Sequence, residues 1–210
     1  KTGEMPNLAA RAIAEFALSR GYDDIVLGMI NVARNSIYGG TITYSDLYEA
    51  LPFDNVVYIA EVTGANLYNV ANSNYIWRVS ADKIYNDTKH VYKVAVIDYV
   101  LFHQNSNREY DRFYSAFEEG RMTPIPLYRE DGSVYNYREI TRDFMTAQGT
   151  INAEDYKRGG NPRVDPSSLT SNVTFASTQM LQTNTVVNNA YALVPDEFAT
   201  VKCYKRRFAA

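Results

Sequence analysis

Apolar residues in the stretch 7–20 recur at spacings of four, with Leu8, Ala12 and Phe16 on one line and Ile13 and Ala17 beside it. Arg11, Glu15 and Ser19 fall on the other stripe, so the spacing predicts an amphipathic helix over residues 7–20 that Gly21 stops. The continuous apolar run 25–30 predicts a buried strand, and the polar stretch 31–40 predicts a loop ending in a Gly-Gly turn. Thr43 and Asp46 have the spacing of a capping box, which opens a short helix over 44–50 that Pro52 ends. Residues 56–62, rich in Val, Ile and Tyr, predict a strand; Gly64 predicts a turn and residues 65–70 the beginning of a helix. A second long apolar run, 91–101, predicts a central strand, Asp131 and Gly132 a turn, and residues 141–148 a helix ended by Gly149. Helices and strands without regular alternation point to an α+β fold, a mixed sheet with packed helices. Gly159, Gly160 and Pro162, with Pro166 just after, mark a boundary. The expected division is a domain over 3–166 and a Ser/Thr/Asn-rich, β-rich or extended tail over 167–210, with strand-like pieces at 173–175 and 200–204.

Composition narrows the function classes. With 210 residues, 46% of them hydrophobic and 21% charged, the chain is a folding globular sequence. Its 21 basic and 24 acidic residues give a net charge of -3, the wrong sign for a general binder of nucleic-acid backbones. No apolar run approaches the roughly 20 residues of a membrane span, and the most apolar stretch already contains Asp98. The first residues lack the apolar core of a signal peptide, so any export signal is expected to have been removed or to lie upstream. The 18 tyrosines suit half-buried strands and stacking surfaces, which hints at recognition.

Catalytic chemistry is hard to assemble from these residues. A two-metal phosphoesterase site needs several His, Asp and Asn ligands around ions about 3.5 to 4 Å apart. This chain has His90 and His103, neither in a metal-binding sequence context. The single cysteine, Cys203, has no histidine nearby in sequence and cannot form an internal disulfide. Glu118 with Glu119, and Glu154 with Asp155, lie in polar segments that offer nothing to split their pKa values, and solvated faces explain them. Lys202, Lys205, Arg206 and Arg207 read as the outward face of a strand.

The run from Arg34 through Gly39-Gly40-Thr41-Ile42-Thr43 to Leu51-Pro52-Phe53, followed by Thr63-Gly64, resembles the C-terminal domain of the 5'-nucleotidases. In that family a metal-dependent phosphoesterase domain precedes a C-terminal domain that recognises the substrate. Asn7-Leu8 is similar to the opening helix of that domain, residues 92–105 to its late substrate strand and residues 142–166 to its closing segment, so the resemblance covers about 3–166. It implies that Phe53 and Tyr99 sandwich a nucleobase, a geometry worth about 1 to 3 kcal/mol per base on an aromatic face. It also implies that Arg34, with its fork of donors, lies near the ribose and phosphate. Asn105, six residues after Tyr99, stands where the family has an aspartate for the ribose hydroxyls. The expected ligand is a nucleotide or nucleoside, with divalent metals held only by a partner catalytic domain upstream. No cofactor is expected in this chain, and the resemblance implies an extracellular, periplasmic or cell-surface location for a bacterial protein.

Two motifs depart from the family. Its loop normally reads Asn-x-Gly-Gly-x-Arg; here Met29 stands for the polar Asn, and Asn31 and Val32 stand for the glycines. The glycines after the late aromatic are likewise replaced, around His103 and Gln104. These changes motivate an alternative, a non-enzymatic surface or interaction module that keeps the fold without the ligand.

Overall fold

The computed structural model describes residues 4–68, 75–80, 83–103 and 124–157, and the backbone of 201–208. The first helix, α1 (Glu4–Ser19), runs into Gly21, whose φ of +88° is the left-handed conformation that ends helices. One expectation for this helix is corrected: the stripe of Arg11 and Glu15 does not face solvent. Both side chains are buried, as are Glu4 and Asn7. The reason is that α1 lies between two layers, the strands β1 (Ile25–Met29) and β4 (Ile76–Arg78) on one side, and on the other helix α5 (Tyr137–Gln148) with a 3-10 turn at Ala153–Tyr156. A helix packed on both sides buries its polar stripe along with its apolar one.

Five strands form the main sheet in the order β4-β1-β5-β3-β6, where β3 is Val57–Thr63, β5 Val91–Ile97 and β6 Pro124–Pro126. Strands β1 and β5 are parallel and the other pairings antiparallel, so the sheet is mixed and the fold is α+β. Every residue of β1 is buried, consistent with a central strand covered on both faces. Gly28 in β1 lets α1 approach closely: a Cβ there would stand 2.0 Å from the backbone oxygen of Ala10.

A smaller sheet has the order β2-β8-β7, with β2 at Ile37–Ile42, β7 at Thr150–Ile151 and β8 at Val201–Phe208. Here a second expectation is corrected. Gly39 and Gly40 lie inside strand β2 and make no turn. The pairing of β2 with β8 slips between Tyr38 and Gly40, and Gly40 has φ +128°, so the glycines accommodate a bulge. The partner strand lies far along the chain, so the sequence nearby carries only a turn-like signal. Within the tail, the strand expected at 200–204 is β8, and 173–175 lies outside the described residues.

Helix α2 (Tyr44–Ala50) opens with the expected capping box. The Thr43 side chain accepts from the Asp46 N–H at 3.3 Å, and the Asp46 carboxylate accepts from the Thr43 N–H at 2.7 Å. Thr43→Ala is expected to cost about 1 kcal/mol and to lower the melting temperature by about 2 to 4 °C; an unchanged thermal unfolding curve would contradict this reading of the cap.

Gly64, expected in a turn, is instead the first residue of a short helix, α3 (Gly64–Leu67). Its small size is required by proximity, since a Cβ would stand 2.0 Å from the backbone oxygen of Tyr85. The apolar run expected as one strand over 91–101 divides into β5 and helix α4 (Asp98–Phe102). Asp98 opens the helix and accepts from the N–H of Tyr99 at 2.7 Å; apolar periodicity alone does not separate a short helix from a strand. Helix α5 begins earlier than the expected residue 141. The Asn136 side chain caps it by accepting from the Arg138 N–H at 2.8 Å, and Gly149, with φ +67°, ends it as expected. The turn expected at Asp131 and Gly132 is present, with Gly132 at φ +80°.

Candidate functional site

Arg34 follows β1, and its backbone N–H donates to the Ala50 carbonyl at 2.8 Å, tying the loop to the end of α2. Phe53 comes three residues after α2 ends, where Pro52 breaks the helix and presents the ring with 43% of its surface exposed. The structure brings these two residues together: the Arg34 guanidinium carbon lies 5.1 Å from the centre of the Phe53 ring. That is cation–π distance, so one face of the plate already carries a cation.

Tyr99 stands on the first turn of α4, correcting its expected place on a strand. It is half-buried, and its ring stacks on exposed His103 at 4.6 Å with an interplanar angle of 19°. Asn105 lies outside the described residues. Met29 ends β1 fully buried, in register with Ile76 and Val96, so its side chain belongs to the core.

The link between the two halves is the start of β3. The Asp98 N–H donates to the Val56 carbonyl at 2.9 Å, setting α4 beside the segment that carries Phe53. Burial pushes the Asp98 carboxyl above its ordinary pKa, against backbone hydrogen bonds from Val56 and Tyr99 that pull it down. Tyr137 is buried beside this junction and is influenced by Arg138, Asp98, Arg34 and Asp54 together. Burial dominates there and raises its phenol pKa, so Tyr137 stays a neutral hydroxyl at physiological pH.

Arg138, Asp54, Asp98 and His103 belong to this region and are not among the site residues expected from the sequence. For Arg138 a signal existed: Tyr137, Ile140, Thr141 and Phe144 keep helical spacing, which extends the helix back to Asn136 and sets Arg138 in its first turn.

The remaining ionisable candidates are accounted for locally. His90 stacks on Tyr85 at 4.5 Å, and its Nδ1 lies 2.8 Å from Asp87 Oδ2. The backbone N–H of His90, followed by its ring, holds the Asp87 carboxylate below its ordinary pKa. Glu154 and Asp155 are exposed on the 3-10 turn, where Glu154 pairs with Lys157 at 2.5 Å. Glu118 and Glu119 lie outside the described residues, and Cys203 lies in β8, opposite Gly40 and Ile151 in the backbone pairing. Among the described residues no group of three or more His, Cys, Asp or Glu is placed to hold a metal ion, and no described helix is long and apolar enough to cross a membrane.

These features define an α+β domain in which the segment after the Leu-Pro-Phe turn runs beside the end of β5. Residues 1–87 match the family model "5'-nucleotidase, C-terminal domain", so over that stretch the resemblance read from the motifs holds. The chain is 37% identical over 70 residues to a probable 5'-nucleotidase of Treponema pallidum (strain Nichols), an alignment covering 30% of this chain and 12% of that protein. In three dimensions it resembles the 5'-nucleotidase precursor from Thermus thermophilus, with a TM-score of 0.50 and 14% identity, over 69% of this chain and 32% of that one. At that identity the likeness is one of fold. The chain thus spans about a third or less of the relatives it matches.

Proposed function

We propose that this chain recognises a nucleotide or nucleoside on behalf of a 5'-nucleotidase-like, metal-dependent phosphohydrolase and does not catalyse hydrolysis alone. The observation that carries the reading is the Arg34–Phe53 pair, within the stretch that matches the 5'-nucleotidase C-terminal domain. A partly exposed phenyl face suits a nucleobase, and a guanidinium beside it suits ribose or phosphate oxygens. Tyr99 supplies the second plate and Asn105 a hydrogen bond to the sugar. The divalent metals that activate the attacking water belong to an upstream metallophosphoesterase domain, and this chain contributes orientation. We place the whole protein outside the cytoplasm of a bacterium, a reading supported by the resemblance to the 5'-nucleotidases, one of which is described as a precursor.

A second reading, a surface or interaction module that no longer binds nucleotides, is favoured by the same geometry. Arg34 covers one face of Phe53, and His103 covers one face of Tyr99. A ligand must therefore use the opposite faces or displace these groups.

Calorimetric titration with adenosine, AMP and a sugar nucleotide separates the readings. Saturable binding that weakens about 10- to 100-fold in Phe53→Ala and in Tyr99→Ala is expected, from the loss of one stacking face each. No binding by the wild-type chain would favour the interaction module. Phosphate release from AMP by the purified chain with divalent metal would overturn the assignment of catalysis to another domain.

A further inference from the structure

We propose that Arg138 is the positioning residue that fixes the Phe53 plate, an inference that rests on the nucleoside-recognition reading above. Its side chain is only 7% exposed and bonds to four residues of α2 and the turn that follows it. Nη1 donates to the carbonyls of Leu51, at 2.8 Å, and Phe53, at 3.1 Å. Nη2 donates to Asp54 Oδ1 at 2.5 Å, and Nε donates to the Tyr44 hydroxyl at 3.1 Å. The ring of Tyr48 lies 4.5 Å from the guanidinium carbon.

This arrangement has a clear physical logic. Leu51 caps the end of α2, where helix carbonyls lack partners inside the helix and a cation is favoured. One guanidinium satisfies carbonyls on both sides of Pro52, so it spans the segment that carries Phe53. Asp54 is 81% exposed and supplies the countercharge from the solvent side. It accepts a further bond, at 3.1 Å, from Nδ2 of Asn136, the residue that caps α5. The first turn of α5 therefore grips the turn 51–54 through Arg138 and Asn136. A planar fork of five donors can make these bonds together, whereas a lysine ammonium is a point charge on a flexible stem. Burial opposes the Arg138 cation, but Tyr44 and Asp54 outweigh it and leave the group more firmly protonated than usual. Phe53 is thereby held from its own backbone, and its ring meets a ligand without first losing the freedom of a loose turn.

The test uses the 210-residue chain with Arg138→Gln and Arg138→Lys, each alone and combined with Phe53→Ala. Amide hydrogen exchange is read without ligand at Leu51, whose N–H donates to the Leu47 carbonyl, and at Tyr137, whose N–H donates to the Asn55 carbonyl, and adenosine affinity is read by calorimetry. Both Arg138 variants are expected to speed exchange at these amides about tenfold or more and to weaken adenosine about tenfold. With Phe53 already removed, they should weaken residual binding no further. If Arg138→Gln does not fold, Arg138→Lys keeps the charge and carries the same comparison. Unchanged exchange at Leu51 and Tyr137 in the folded variants would overturn the proposal. So would an affinity loss equally large in the Phe53→Ala background, which would mark a general structural role. If the wild-type chain binds no adenosine, the functional reading falls separately, and the exchange measurement still decides whether Arg138 fixes this turn.

Discussion

Arg11→Met is expected to destabilise the fold by about 3 to 5 kcal/mol at pH 8, the usual cost of removing one partner from a buried ion pair. Arg11 Nε meets Glu15 Oε1 at 2.5 Å, and the guanidinium carbon lies 5.3 Å from the Trp77 ring, 5.5 Å from Phe144 and 5.8 Å from Tyr156. Glu15 is left with a buried carboxylate once the cation is gone. Burial already raises its pKa above the ordinary 4.5, against the attraction of Arg11, and losing Arg11 raises it further. A carboxyl with a raised folded pKa contributes stability below its unfolded pKa and loses it as pH rises through the folded value. The variant should thus lie close to the wild type near pH 4 and fall behind steadily toward pH 8. Arg11→Met with Glu15→Met removes both charges and is expected to recover most of the loss. Urea unfolding at the two pH values checks both statements; a pH-independent deficit, or a double variant weaker than the single one, would contradict them.

Gly28→Ala carries the other large effect, about 3 kcal/mol or more. The added methyl would stand 2.0 Å from the Ala10 oxygen and 2.9 Å from its carbonyl carbon, with the Ala14 methyl at 3.1 Å. Backbone atoms cannot rotate aside, so α1 must move off the central strand, and the small residues Ala10 and Ala14 that allow the close approach lose their purpose. The expected fall in melting temperature is about 6 to 12 °C. Gly21→Ala is the informative control, because nothing lies within 4 Å of the added carbon there and only the φ of +88° is strained. It should cost about 1 kcal/mol. A Gly28 variant melting no lower than the Gly21 variant would contradict the packing argument.

What could be read from the sequence was local in origin. The Thr43 and Asp46 cap, the helix stops at Gly21 and Gly149 and the strands β1 and β3 all depend on residues a few positions apart. The Leu-Pro-Phe turn and Arg34 stand out through a motif, and the structure sets them side by side. The misreadings share a different cause. Arg11 and Glu15 are polar by composition, and their burial depends on neighbours far along the chain, among them Trp77, Phe144 and Tyr156 around the guanidinium. The glycines of β2 look like a turn until β8 pairs with them. The last part of an apolar run forms a short helix, which places Tyr99 on the first turn of α4 and not on a strand. Helical spacing places Arg138 on the first turn of α5, but its partners, the backbone carbonyls of Leu51 and Phe53, lie more than eighty residues earlier and no spacing rule reveals them.

Strand β8 also has a consequence for the order of events during synthesis. It is the middle strand of the smaller sheet, yet both of its neighbours leave the ribosome before it does. Until β8 emerges, β2 and β7 have no mutual pairing partner, and each offers a bare backbone edge to other nascent chains. The five-stranded sheet draws on strands no later than β6 and can close first. Completion of the smaller sheet then waits on a long-range pairing, the slowest kind of contact to form. Chains cut short before residue 201 would carry that exposed interval permanently, so aggregation, rather than loss of the main core, is the failure such truncations should show.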